Sequence, residues 1–402
     1  MDQLSSSALG AAPKPYLSPK ARARALWLTV HRWIGIALLV PMAILGVTGS
    51  AQVWPEETEA LLYPQREVAA SANPSAITAE HVAAARATLA PWGDLVSIEV
   101  GEDGTPLTAR STAYAPPLHG MRGDVARIAY VDPDSAQALD TAASSGSFMW
   151  YMHLLHGVLL IPDIGRAVVG WMGVFLTVSA VTGLYVFWPG FARFRAALRW
   201  QKRDGFNLNL HRQSGVILSI VIVVEAITGA WISFPTFFAS IVEPGVEQPE
   251  RRRPGGGGPE GEPLFVDDAG WIAALDRAQA AWPGRVQSIA APVGEDGAWQ
   301  VQILGQGMEG KLSLPVSGGA PEIEESPVRT GPPPPATRAQ GIAGVMRQLH
   351  YALIGGFVWE VLVFLSGIAL TFLSISGVYV WLKRTLRRRR KKTALTQGGA
   401  AA

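Results

Sequence analysis

The sequence predicts an integral membrane α-helical protein with four transmembrane helices. They form two tandem repeats, each with a small α+β module between its two helices. Three observations predict this. The chain of 402 residues is 49% hydrophobic and only 16% charged, well below the quarter or so usual in soluble domains. Four apolar runs are long enough to cross about 30 Å of hydrocarbon. Motifs of the first half also recur, in register, in the second.

The elements follow in order. Residues 1–25 read as a cytoplasmic tail and 26–53 as the first span. Residues 54–148 form the first periplasmic module and 149–166 an interfacial segment, and 167–189 is the second span. A basic cytoplasmic loop, 190–210, leads to the third span, 211–238. The second module, 239–345, carries Gly/Pro-rich tracts at 247–263 and 326–338 that read as linkers. An interfacial segment, 346–356, precedes the fourth span, 357–382, and a basic cytoplasmic tail, 383–402. The first run is too long for a signal-peptide core and reads as a retained anchor. Trp27, Trp33, Trp54, Trp171, Trp188, Trp231 and Trp381 lie at or near span ends, the belt that indole rings favour.

Basic residues set the direction. Lys14, Lys20, Arg22, Arg24 and Arg32 precede or open the first span. Arg193, Arg195, Arg199, Lys202 and Arg203 fill the middle loop, Arg212 opens the third span, and an unbroken basic run, Arg387 to Lys392, lies in the tail. By the positive-inside rule both termini and the middle loop are cytoplasmic. The tail reads as a topology signal that contacts lipid headgroups, not as a nucleic-acid patch.

The repeat is anchored on histidines. His31-Arg32-Trp33-Ile34-Gly35 leads to Thr48-Gly49. His211-Arg212-Gln213-Ser214-Gly215 leads, at one constant offset, to Thr228-Gly229. Leu155-His156 leads to Gly183-Leu184-Tyr185-Val186, and Leu349-His350 leads, at a second constant offset, to Gly377-Val378-Tyr379-Val380. The halves have parallel topology, with a pseudo-two-fold axis expected along the membrane normal. Within the modules, Thr78 opens an Ala-rich helix to Leu89. A strand at 96–100 and a hairpin turn at Gly101–Gly104 follow. The second copy has a helix near 269–281 and strands at 286–290 and 298–304.

The absence of cysteine excludes disulfides, iron–sulfur ligation and covalent c-type haem. Of the seven histidines, His81 and His119 have no repeat partner and read as surface residues. A lone histidine at a span boundary reads as facing headgroups. Four at symmetric positions read as two bis-axial pairs, because a two-fold axis brings like imidazoles to either side of one iron. His31 pairs with His211 near the cytoplasmic face and His156 with His350 near the periplasmic face, holding two haem b groups. His153, three residues before His156, reads as an alternative ligand, a propionate partner or a substrate-side group. Its repeat counterpart is Arg347. Arg166 and Arg347 read as propionate partners or headgroup contacts. Glu225, a carboxylate deep in the third span, reads either as a proton-coupling site or as an interhelical hydrogen-bond partner. Gly35, Gly46, Gly49, Gly173, Gly183, Gly215, Gly229, Gly367 and Gly377 would let a helix or a flat macrocycle approach closely.

His31-Arg32-Trp33-Ile34-Gly35, Leu155-His156 leading to Gly165-Arg166, Gly183-Leu184-Tyr185 and Leu349-His350-Tyr351-Ala352-Leu353 resemble the PepSY-associated transmembrane family over about residues 20–390. That family includes iron-regulated inner-membrane proteins and siderophore reductases of the ferrioxamine-reductase type. The helix-plus-strands modules look like its PepSY modules. The resemblance implies a bacterial inner-membrane dihaem protein that reduces a periplasmic ferric siderophore, releasing iron as Fe(II). His153 and the two Gly/Pro-rich tracts depart from the family's pattern. No nucleotide-binding fingerprint is visible, so the electron donor is expected to be a separate cytoplasmic reductase or membrane quinol. Two other readings stay open. One is a non-redox protein whose modules bind or regulate a periplasmic partner. The other is an iron or siderophore transporter, for which Glu225 is the only support.

Overall fold

The computed structural model describes residues 18–69, 77–101, 104–116, 118, 125–188, 195, 198–201, 205–245, 263–294, 297–305, 308–316, 319–327 and 337–398. His119, most of both Gly/Pro-rich tracts, the hairpin residues Glu102 and Asp103, and much of the basic middle loop lie outside them. The chain divides into two compact units. A helical unit comprises Met1–Gly46, Trp171–Ile227 and Val361–Ala402, and a sheet unit comprises Val47–Gly170 and Thr228–Glu360.

The helical unit draws on α1 (Pro19–Ala37), α2 (Leu39–Ala51), α6 (Gly165–Phe187), α7 (Phe206–Ile217), α8 (Ser219–Ser233) and α12 (Gly356–Gly398). Two helical stretches, Gly165–Phe187 and Gly356–Lys383, are long and apolar enough to cross a membrane, with up to four spans if each bent pair counts as one. The first and third apolar runs are each broken. α1 and α2 meet at 69°, and α7 and α8 at 63°. The breaks have different causes. Pro41 removes an N–H and clashes with the carbonyl four residues back, that of Ala37, where α1 stops. At the second break no proline is present. There the hydroxyls of Ser214 and Ser219 donate to the carbonyls of Leu210 and Val216 at 2.7 and 2.8 Å, back-bonding that bends helices. Hydropathy reads composition over a window and is blind to such bends. α2 lies close against α12: a Cβ on Gly46 would meet the Gly367 carbonyl oxygen at 2.5 Å, and Thr371 donates to the Ala43 carbonyl at 3.2 Å.

The sheet unit is built on one eight-stranded antiparallel sheet, in the order β4-β3-β2-β1-β5-β6-β7-β8. Its strands are β1 (Leu95–Glu99), β2 (Leu107–Ala115), β3 (Val125–Val131), β4 (Ala138–Ala143), β5 (Arg285–Ala290), β6 (Ala298–Gly305), β7 (Met308–Pro315) and β8 (Glu322–Pro327). Each half of the chain supplies a four-stranded meander. The meanders join edge to edge where Ile98 stands opposite Ile289, both fully buried. The unit also contains the short helices α3 (Pro55–Leu62) and α9 (Pro235–Val242). α4 (Ala79–Leu89) and α10 (Asp268–Ala281) supply the helical side of one shared core. Val82, Ala85 and Leu89 of the first and Trp271, Ala274 and Ala278 of the second are buried, at the three-to-four spacing of a helix face. Arg86 ties the two helices through Asp268 at 2.7 Å. Joining two meanders gives a single larger core, which small modules of about 60 residues would lack.

His81 is not a surface residue: it is 3% exposed. It stands at the third position of α4 and completes a capping box with Thr78. Its Nδ1 accepts from the Thr78 backbone N–H at 3.1 Å and its Nε2 meets the Pro133 carbonyl at 3.1 Å. Glutamate or glutamine is usual there, so the motif was readable but the side chain was not.

Candidate functional site

His31 lies midway along α1 and His211 midway along α7, both within the helical unit. Their ring centroids are 6.4 Å apart with planes at 77°. In the sheet unit, His156 sits near the end of α5 (Phe148–Val158) and His350 ends α11 (Arg338–His350). Their centroids are 6.0 Å apart with planes at 42°. Neither α5 nor α11 is part of an apolar span. Each is a separate helix ahead of one, followed by a turn with left-handed residues, Leu159 and Leu160 after α5 and Ala352 after α11.

Each ring is held at Nδ1. His31 Nδ1 is 2.8 Å from the Ser179 carbonyl oxygen. A carbonyl only accepts, so this nitrogen carries the hydrogen and Nε2 the lone pair. His211 Nδ1 meets the Ser376 hydroxyl at 3.0 Å. In the sheet unit Thr228 Oγ1 lies 3.0 Å from His350 Nδ1, and Thr48 Oγ1 lies 3.4 Å from His156 Nδ1. Metal-bound histidines are normally oriented in this way, through the nitrogen that does not bind the metal.

Each ring also lies on a glycine. A Cβ at Gly183 would come within 2.8 Å of His31 Cε1, and one at Gly49 within 2.8 Å of His156 Cε1. The corresponding distances are 3.0 Å from Gly229 to His350 and 3.2 Å from Gly377 to His211. The pattern crosses over within each half of the chain. The histidine that opens one run packs on the glycine that closes the other.

The donor set can be tested against haem. Two metal–imidazole bonds of about 2.0–2.1 Å, with roughly 1.1 Å from each nitrogen to its ring centre, put bis-axial centroids about 6.3 Å apart. The two observed separations bracket that value, and axial ligation leaves the angle between ring planes free. Among the described residues no group of three or more His, Cys, Asp or Glu is placed to hold a metal ion. Two imidazoles facing each other suit an iron whose other four ligands come from a macrocycle. The residues present therefore fit the group.

The remaining predicted positions divide. His153 Nδ1 is 3.2 Å from Gln52 Oε1. Burial and then the charge of Arg166 hold its imidazole below the usual histidine range. Arg166, in the first turn of α6, reaches the Ile232 carbonyl at 3.5 Å. Arg347 is exposed in the last turn of α11. Glu225 is half-buried on α8. Glu360 accepts a hydrogen bond from Trp54 Nε1 at 2.9 Å.

A family model described as the PepSY-associated TM region matches residues 28–384. The chain belongs to that family. No curated protein matches it. The PepSY-associated TM match covers all four paired histidines, their glycines and their hydroxyl partners, and it makes this chain a membrane protein. Sequence reasoning found the four histidines and their glycines as duplicated motifs. It missed Ser179 and Ser376, and it gave Thr48 and Thr228 no role. The signal for the threonines was present in the duplicated Thr-Gly pairs.

Proposed function

We propose that this membrane protein is a dihaem b-type electron-transfer protein that reduces a ferric siderophore on the periplasmic side of a bacterial inner membrane. The observation that supports this reading is the meeting of duplicated imidazoles in two couples at the separation that bis-axial ligation requires. In this reading α1–α2 and α7–α8 are each one bent span, the four spans form two tandem repeats, and both termini are cytoplasmic. Bound haem would supply an iron that takes and gives one electron at a time. His31 with His211, and His156 with His350, would hold it through Nε2. The Ser179 carbonyl and the Ser376, Thr48 and Thr228 hydroxyls fix the ring orientation, and the glycines leave room for the rings. Arg166 and Arg347 are the candidates for propionate pairing. The donor is a separate cytoplasmic reductase or membrane quinol. Siderophores are hard-oxygen chelators that hold Fe(III) far better than Fe(II), so one electron releases the metal.

The test is an absorption spectrum of the detergent-purified protein before and after dithionite, followed by addition of a ferric hydroxamate siderophore. A Soret band that shifts on reduction and recovers on adding the siderophore is expected. His31→Ala and His350→Ala should each remove about half of the haem. Colourless protein, with histidines that tolerate substitution, would favour a binding or regulatory role instead.

A further inference from the structure

The two imidazole couples are not equivalent in their surroundings. Beside His156, a hydrogen-bond chain leads outward to a third imidazole. Gln52, just past the end of α2, donates from Nε2 to the Thr48 carbonyl at 2.9 Å and to the Met152 carbonyl at 3.2 Å. Both hydrogens of its amide are thus directed at carbonyls, and its Oε1 faces His153 Nδ1 at 3.2 Å. His153 must therefore donate from Nδ1, which leaves Nε2 to gain or lose a proton. Thr48 in turn places its hydroxyl at Nδ1 of His156. All of these residues lie in the sheet unit. At the repeat-related positions stand Ile232 in place of Gln52 and Arg347 in place of His153. Neither can reproduce a titrating imidazole on an amide, so among the described residues the second half does not repeat the chain.

We infer that His153 is a redox-linked proton acceptor for the His156/His350 site, coupled to it through Gln52 and Thr48. This rests on the proposed haem ligation. His153 takes one proton from water at Nε2 for each electron that the site accepts from the quinol or cytoplasmic reductase. It returns that proton when the electron leaves to the Fe(III) acceptor. One electron and one proton enter, and one of each departs. The bond to Gln52 survives protonation, because Nδ1 donates in both states. A positive charge gained at Nε2 would offset the electron that a bound haem would take up. His153 is solvent-reachable on α5, so the proton has a path. Among the described residues, the groups near it are Arg166 from α6, Gln52 from the end of α2, and His156 one turn along its own helix. Burial, and then the charge of Arg166, lower the imidazole's affinity for a proton.

The experiment is a mediated potentiometric titration of the purified holoprotein at several pH values, for the natural chain, His153→Gln and Gln52→Leu. In the natural chain one of two haem waves should rise in midpoint potential as pH falls. Its slope should approach about 59 mV per tenfold change in proton concentration for one electron. It should flatten on the alkaline side, and the other wave should serve as an internal reference. His153→Gln keeps a hydrogen-bonding side chain but cannot titrate, and should flatten the slope of that one wave. Gln52→Leu keeps the imidazole and cuts the chain, and should reduce the slope. Two haem waves with no pH dependence, or a slope that persists in His153→Gln, would overturn the inference while leaving haem ligation intact. A natural chain with no haem wave would overturn both.

Discussion

Glycine at four positions decides how closely an imidazole can lie against the neighbouring helix. At Gly183 and Gly49 a methyl group would sit 2.8 Å from a histidine carbon, and at Gly377 it would sit 3.2 Å away. The first distance forces a ring to move, whereas the second asks for a few tenths of an ångström. A ring that moves loses either its Nδ1 bond or its placement against the partner imidazole, and a misplacement of this size is large against the tolerance of a ligand geometry. Gly183→Ala and Gly49→Ala should therefore lower haem content severalfold, measured as pyridine haemochrome per protein, while Gly377→Ala retains most of it. Equal loading in all three would show that the rings have slack. These residues also mark how far sequence reached. Each glycine was legible as half of a duplicated motif, because duplication is a one-dimensional property. Which ring lies on which glycine was not, since His31 meets Gly183 across a long stretch of chain and spacing carries no information about that crossing.

At the scale of elements, legibility followed periodicity. α4, α10, β1, β5 and β6 fall within a residue or two of their predicted ranges because their apolar positions repeat cleanly. No range is predicted for β2 or β3, and the register shifts after Arg110 give a reason: a bulge breaks the alternation that would betray a strand. β8 runs through acidic residues, a pattern that reads as loop, whereas β7 alternates only over Leu312 and Leu314, both buried, between Gly310 and Pro315. The link between the 3₁₀ turn Pro64–Arg66 and β4 is likewise invisible to periodicity. Arg66 lies between the Tyr63 and Tyr130 rings, 4.0 and 4.1 Å from their centroids, and meets Asp140 at 2.7 Å. Burial alone would raise the Asp140 carboxyl. The Arg66 hydrogen bond and charge outweigh it and hold the group below the usual carboxylate range. A depressed carboxyl stabilises the fold at pH above its unfolded value and loses that contribution as pH falls through its folded one. Asp140→Asn should thus cost on the order of 1–2 kcal/mol at neutral pH. The difference from the natural chain should close in acid, as read from thermal unfolding of the sheet's circular-dichroism signal at a series of pH values. A cost independent of pH would assign the effect to packing rather than to charge.

For the whole molecule, the two bent helix pairs leave a question that hydropathy alone poses badly. A pair bent by 69° or 63° is either one broken span or a segment that enters the membrane and returns. The two alternatives place the ends of the pair on opposite sides or on the same side. The distribution of charge argues for opposite sides. Basic residues crowd the start of α1 and the loop before α7, and the sheet unit carries the acidic excess, an asymmetry that moves cations to the cytoplasmic face. The natural chain has no cysteine, so a single introduced thiol reports its own side without background. Lys20, Gln201, Glu57 and Glu324 are exposed, and each tolerates a small replacement without disturbing the paired histidines. An impermeant maleimide applied to intact spheroplasts should label Glu57→Cys and Glu324→Cys at once. It should reach Lys20→Cys and Gln201→Cys only after the membrane is opened. If Lys20→Cys and Glu57→Cys label together, α1–α2 returns to the side it left. His31 and Gly49 would then not sit at the two ends of one crossing, and the path for an electron from one face to the other would lose its first helix.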